Sequence, residues 1–99
     1  MPRYIIKLGE HYLEWSTIVD APVTYGMTLD DFKQYYQREY GLEGMRHLGE
    51  RLARVEAKGT SAINHSDVKD TLAGNRAGEG ETTLTRDQIY QAYCLRDPE

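Results

Sequence analysis

Residues 3–19 read RYIIKLGEHYLEWSTIV and carry the clearest structural pattern in this chain. Side-chain character alternates along Arg3–Leu8 and again along residues 11–19, and a period of two residues is typical of β-strands. Gly9 and Glu10 separate the two runs, and a glycine at the first position of a two-residue loop favours a type II′ turn. The stretch therefore predicts a β-hairpin.

The alternation also divides the hairpin side chains between two faces. Leu13 and Trp15 lie on one face of the second strand, and Glu14 lies on the other. Residues 20–22 end this strand, because the proline in them has no backbone N–H for a further ladder hydrogen bond. Residues 23–25 are predicted to form either a short third strand or an extended loop.

Helix signals follow the hairpin at four places. Thr28, with Asp31 three residues later, forms a variant capping box that begins a helix over residues 29–40, and Gly41 ends it. The other predicted helices are residues 42–57, residues 66–73 with Ser66 as the cap, and residues 86–95 after a Thr85 cap with Gln88.

These elements predict an α+β fold in a single domain of residues 1–99. The N-terminal hairpin, with or without a third strand, packs against three to four short helices. A ribbon of two or three strands is too small to stand alone, and its unpaired edges invite pairing with another protomer. Because hydrophobic residues make up only 39 % of the chain, contacts between copies are expected to add stability, and a homo-oligomer is predicted.

Composition and charge argue against several classes of protein. The formal net charge of −4 opposes binding to a nucleic-acid polymer. The first ten residues lack the apolar segment of a signal peptide, and no run approaches the roughly 18 apolar residues of a membrane span. The chain has one cysteine, Cys94, which fits a reducing compartment. We therefore expect a cytoplasmic protein with no membrane partner.

The chain carries no motif that specifies a reaction or a metal site. Its three histidines and Cys94 are far apart in sequence, whereas structural zinc sites normally include a close ligand pair. Residues 65–67, His-Ser-Asp, place the residue types of a catalytic triad side by side, but sequence neighbours do not have triad geometry. No catalytic residue, metal or cofactor is expected.

Eight of the ten aromatic residues are tyrosines. A ring with a hydroxyl group suits a surface that is partly apolar and partly polar, such as an interface or a ligand pocket. The glycine-rich loop at residues 74–80 also holds an arginine that could face an anion. Ordinary strand packing and an ordinary turn-forming loop are the alternatives. The candidate ligand-binding residues are Tyr12, Trp15, Ser16, Thr17, Asp20, Thr24, Tyr25, Tyr35, Arg38 and Arg76.

The run WSTIVDAPVTYGMTLDDFKQYYQREYG at residues 15–41, with NRAGEG at residues 75–80 and IYQAYCL at residues 89–95, resembles small uncharacterised proteins of tailed bacteriophages. The resemblance implies an accessory phage protein in the host cell and points to no catalytic residue. Small phage proteins of this kind include inhibitors of host immunity. Some of them bind host enzymes, and others sequester nucleotide signals.

The leading hypothesis is therefore a non-enzymatic phage protein that sequesters a nucleotide-like small ligand. The first alternative is a protein–protein inhibitor that docks a tyrosine-rich face on a host enzyme, since Tyr and Trp also dominate interface hot spots. The second alternative is a small hydrolase of a nucleotide signal. The region where the hairpin meets the first helix is where a ligand or partner is expected.

Overall fold

The computed structural model describes residues 3–94 and confirms the α+β class. A three-stranded antiparallel sheet lies at the N-terminus, in the order β1-β2-β3. The strands and helices are β1 (Arg3–Leu8), β2 (His11–Ser16), β3 (Ala21–Pro22), α1 (Leu29–Lys58), α2 (Val68–Leu72) and α3 (Arg86–Tyr93), with a short 3₁₀ turn at Glu79–Glu81.

The predicted hairpin is confirmed, with corrections at its second half. Gly9 has φ 61°, as the first residue of a type II′ turn requires. β2 ends at Ser16 and not at residue 19, because Ser16 Oγ accepts backbone N–H groups from Ile18 and Val19 and turns the chain. The third strand is Ala21–Pro22, and residues 23–25 lie outside any strand, in agreement with the loop alternative. A proline is tolerated there because β3 is an edge strand.

Both faces of the hairpin are buried, so that the sheet is the middle of three layers. One face packs against α2 and α3 through Ile6, Leu8, Leu13, Trp15, Val68, Leu72 and Ile89. The opposite face packs against α1 through Ile5, Tyr12, Phe32, Tyr36, Leu48 and Val55. The tyrosine-rich side of the core is therefore the layer between the sheet and α1.

The outer edge of β1 is covered by the segment that follows α1. Lys7 N donates to Gly59 O, and Ser61 N donates to Ile5 O, each at 2.9 Å. Ile5 N also donates to the Ser61 hydroxyl at 2.8 Å. This edge is therefore not open to the pairing with another protomer that the sequence suggested.

Helix α1 contains a break at the predicted position. Thr28 caps its N-terminus by accepting from Asp31 N. Gly41 has φ 64° and ψ −157° inside the hydrogen-bonded run, a conformation that is essentially restricted to glycine. The run continues to Lys58, where Gly59 in the left-handed region provides the C-cap. The chain therefore folds as two helical halves joined at Gly41.

The last two helices follow their predicted caps with one correction. Asp67 caps α2, not Ser66, because Asp67 Oδ1 accepts from Lys69 N at 2.8 Å. The capping box of Thr85 and Gln88 at α3 is present in full, and the predicted end of this helix at residue 95 lies outside the described residues.

None of the helices within residues 3–94 has the length and apolar character needed to cross a bilayer.

Candidate functional site

Glu14 on β2 is a buried carboxylate between the sheet and α1. Only 2 % of its surface is exposed. The hydroxyl of Tyr35 donates to its Oε1 at 2.5 Å, the hydroxyl of Tyr40 donates to its Oε2, and Arg3 Nη1 lies 3.2 Å from Oε1. A buried charge is tolerated when it is paired and hydrogen-bonded. These three donors meet that requirement.

Strand register and helix period bring the groups of this network together. Arg3 pairs with Ser16 across the hairpin, which makes Arg3 a diagonal neighbour of Glu14 on the same face. Tyr36 and Tyr40 lie one turn apart on α1, and their ring centroids are 4.6 Å apart. Both tyrosines precede the break at Gly41, after which the second half of α1 closes over the network.

A cavity of about 280 Å³ opens beside the network. Arg51 reaches its wall from the second half of α1, and Arg51 Nη1 donates to the Tyr36 hydroxyl at 2.5 Å. The lining combines aromatic rings, cationic donors and carboxylates, which is the mixture found in small-ligand sites. The lining residues are Arg3, Glu14, Tyr36, Tyr40, Glu43, Gly44, His47 and Arg51.

The tyrosines of this region resist ionisation. Burial raises the pKa of Tyr35, and its hydrogen bond to the Glu14 carboxylate raises the pKa further. The pKa of Tyr40 is raised for the same two reasons, although Arg3 partly opposes them. Burial also raises the pKa of Tyr36, against the lowering effect of Arg51. These hydroxyl groups therefore stay protonated near neutral pH and do not act as bases.

Four of the ten predicted site residues have structural roles in the sheet. Trp15 is 2 % exposed and packs in the core on the α2–α3 side, so its ring has no face open to a ligand. Tyr12 is buried and donates to Glu56 Oε2 at 2.7 Å. The hydroxyls of Ser16 and Thr24 accept backbone N–H groups.

Four others gather at or near the turn between β2 and β3, outside the lining of the cavity. Arg76 forms ion pairs with Asp20 and Glu81, each at 3.3 Å. Two carboxylates therefore already neutralise the arginine that was expected to face an anion. Thr17 lies in the same turn, and Tyr25 follows β3 and is about half exposed.

Of the ten predicted residues, Tyr35 alone belongs to the network around Glu14. Arg38 is exposed and does not line the cavity. The cavity lies where the hairpin meets α1, but only Tyr36 and Tyr40 of its lining belong to the predicted first helix, and half of the lining comes from the predicted second helix at residues 42–57.

Sequence reasoning missed Glu14, Arg3 and Arg51. A signal for Glu14 was present, because a carboxylate on the same strand face as Tyr12 is unusual where that face packs against a helix. No comparable signal marks Arg51. Its position depends on the angle between the two halves of α1, which a sequence pattern does not specify.

The structure gives no support to a triad at residues 65–67. His65 Nδ1 lies 2.7 Å from Thr71 Oγ1, and Ser66 N donates to Asp70 Oδ2 as part of the helix start. Within residues 3–94, no group of three or more His, Cys, Asp or Glu side chains is placed to hold a metal ion.

No protein-family model, curated protein or solved structure matches this chain. A function for this chain is therefore inferred from the geometry of its own residues.

Proposed function

We propose that this chain is a non-enzymatic bacteriophage protein that sequesters a small nucleotide-like ligand and thereby counters host immune signalling. The observation that carries the proposal is the cavity between the hairpin and α1. Its walls offer aromatic rings, arginine donors and carboxylate acceptors within about 280 Å³, a volume near the lower end for small-molecule sites.

The lining suits a heteroaromatic base. His47 and Tyr40 provide rings that can contact a flat face. Glu43 at the rim can accept from an exocyclic amino group, as carboxylates do with cytosine. Arg51 keeps donors free beyond the one bound to Tyr36. The polarity of the lining therefore supports a nucleotide-like ligand.

Binding without turnover is favoured by the state of Glu14. Its two oxygens already accept from Tyr35, Tyr40 and Arg3. A general base must lie within hydrogen-bond reach of the proton that it removes, and three of the roughly four acceptor positions of Glu14 already hold donors. This argues against Glu14 as the general base of the hydrolase alternative.

The proposal is tested by incubating the purified protein with a panel of signalling nucleotides, removing free ligand, releasing bound ligand by heat and analysing it by chromatography. Recovery of an intact nucleotide is expected. Recovery of a converted product would replace the proposal with an enzyme, and failure to retain any nucleotide would overturn it.

Replacement of His47 by Ala tests the location. His47 is exposed at the cavity, so we expect His47→Ala to lower nucleotide retention about tenfold without changing the melting temperature, since base–aromatic contacts contribute about 1–3 kcal/mol. Gln37→Ala, an exposed position on the same helix outside the cavity lining, is the matched control. Equal retention by both variants would exclude His47 from the site.

A second candidate function is supported by exposed apolar side chains near the β2–β3 turn. Ile18 is 70 % exposed, and Val19, Val23 and Tyr25 are each more than 40 % exposed. Exposed apolar surface of this kind is a feature of protein-docking sites, which fits the inhibitor alternative. Ile18→Asp should abolish protection of a phage against host defence if docking carries the function, and should leave protection intact if the cavity does.

A further inference from the structure

A second cavity adjoins the first and differs from it in chemistry. It has a volume of about 270 Å³ and lies between β1, α1 and the segment after α1. Arg3 and Arg51 line both cavities. Glu14 and Glu43 line the first cavity, whereas the described residues that line the second include no Asp or Glu. The two cavities together therefore have a carboxylate-bearing end and a cationic end.

Arg51 and Arg54 line the second cavity without an acidic partner. They are three residues apart, which places them on the same side of the helix. Arg54 Nε donates to the Ser61 carbonyl at 2.8 Å, and Arg51 donates to a tyrosine hydroxyl. Both guanidinium groups are therefore held in place by neutral acceptors. Within residues 3–94, the ion pairs of the arginines involve Arg3, Arg46 and Arg76 only.

This arrangement is unusual in an acidic chain with 16 acidic and 12 basic residues. Two neighbouring like charges that form no ion pair repel each other, and an external anion would offset that cost. Guanidinium groups bind phosphate oxygens through two parallel hydrogen bonds. The remaining N–H groups of Arg51 and Arg54 are available for such contacts.

We infer that the second cavity is a phosphate subsite in which Arg51 and Arg54 bind the phosphate group of a nucleoside monophosphate whose base occupies the first cavity. This inference rests on the proposed function, because it assumes that one ligand extends across the wall shared by the two cavities. Two unpaired arginines balance the charge of a single phosphate, whereas Arg3 is already paired with Glu14.

The test is calorimetric titration of the full chain with adenosine 5′-monophosphate (AMP), adenosine, guanosine 5′-monophosphate (GMP), guanosine and inorganic phosphate. For the preferred base, the monophosphate should bind at least about tenfold more tightly than its nucleoside. The reason is that hydrogen bonds to charged groups contribute more free energy than those between neutral groups. Arg54→Gln should remove this advantage while leaving nucleoside affinity unchanged. Arg46→Gln makes the same charge change on an exposed, surface-paired arginine and should keep the advantage.

Each failure has a distinct meaning. Equal affinity for monophosphate and nucleoside in the native protein overturns the phosphate subsite and leaves the proposed function standing. Absence of binding by every compound of this series overturns the subsite, and the proposed function is overturned with it only if no nucleotide of the wider panel is retained. Because Arg54 also bonds to Ser61, Arg54→Lys serves as a second variant. It keeps the charge without the planar fork, and it should retain part of the phosphate advantage, whereas full retention would exclude bidentate binding by Arg54.

Discussion

Glu14 is the residue on which the junction between the hairpin and α1 depends most. Replacement by Gln keeps the shape but turns one acceptor into a donor, so that a tyrosine hydroxyl and Arg3 lose their partner. Since a buried group left unsatisfied costs about 1–3 kcal/mol and a broken buried ion pair costs more, Glu14→Gln should lower the free energy of unfolding by about 2 kcal/mol or more. Urea denaturation measures this change.

Glu43 provides the matched control for that measurement. It lines the same cavity but is largely exposed, and its partner Arg46 is also on the surface. Glu43→Gln makes the same charge change and should alter the free energy of unfolding by less than about 0.5 kcal/mol. If the two variants had the same free energy of unfolding, the Glu14 network would make no contribution to stability.

The buried tyrosines make the stability of the fold depend on pH in the alkaline range. The pKa values of Tyr12, Tyr35, Tyr36 and Tyr40 are all raised in the folded chain, chiefly by burial. The unfolded chain releases these protons near pH 10, while the native state retains them. The native state then binds more protons, so the free energy of unfolding should be insensitive to these tyrosines below about pH 9 and should fall as pH rises above about 10.

Absorbance at 295 nm against pH, followed together with circular dichroism, checks this expectation. Part of the tyrosinate signal should appear only as the protein unfolds. Titration of all eight tyrosines near pH 10, with the fold intact, would contradict the buried hydroxyl network.

The break in α1 lies within the wall of the first cavity, because Tyr36 and Tyr40 precede Gly41 and the remaining α1 lining residues follow it. Gly41 redirects the helix, and Gly44 then packs so closely on Tyr40 and Tyr36 that an added Cβ would overlap the Cβ of Tyr40. Gly49 lies on the same helix with nothing within 4 Å of its Cβ position. One glycine is therefore required by packing, and the other is not.

The two glycines predict opposite effects of the same substitution. Gly44→Ala should lower the free energy of unfolding by about 1 kcal/mol or more, because overpacking outweighs the gain in helix propensity. Gly49→Ala should raise it by up to about 1 kcal/mol, since alanine favours the helix and meets no neighbour. Thermal or urea unfolding of both variants measures the difference. A stabilising Gly44→Ala would contradict the close packing of α1 on itself.

Local signals account for most of the elements that were predicted. The caps at Thr28 and Thr85 and the break at Gly41 depend on nearby residues, so sequence patterns indicate them well. The end of β2 depends on a side chain, Ser16, that accepts from the following backbone, and the alternating pattern continued past it. The sequence proposes Arg38 and Arg76 from their local positions on a helix and in a glycine-rich loop, but it does not specify their neighbours in space.

At the scale of the whole molecule, the three layers explain the distribution of the tyrosines. A sheet buried on both faces needs two sets of partners. Four tyrosines pack on the α1 side, where the Glu14 carboxylate is buried, and three pack on the opposite side: Tyr12, Tyr35, Tyr36 and Tyr40 on the first, and Tyr4, Tyr90 and Tyr93 on the second. The sequence indicated the junction of the hairpin and the first helix but not the residues that line the cavity there. Arg3, Glu14 and Arg51 come together only when the sheet, both halves of α1 and the following segment are assembled.

The homo-oligomer stays a prediction. The covered edge of β1 removes one route to it, and the exposed side chains of Ile18, Val19 and Val23 offer another. Light scattering after gel filtration should give more than one copy per particle for the native chain, and Ile18→Asp should shift the mass toward the monomer. A monomeric native chain would contradict the prediction.

The most direct test of the account is NMR of protein labelled with ¹³C in the tyrosine rings, titrated with AMP and with GMP. At least one nucleotide should shift the signals of Tyr36 and Tyr40, which line the first cavity, and leave those of Tyr25 and Tyr90 unchanged. Shifts confined to Tyr25, or unchanged rings at saturating concentrations of both nucleotides, would contradict a nucleotide site between the hairpin and α1.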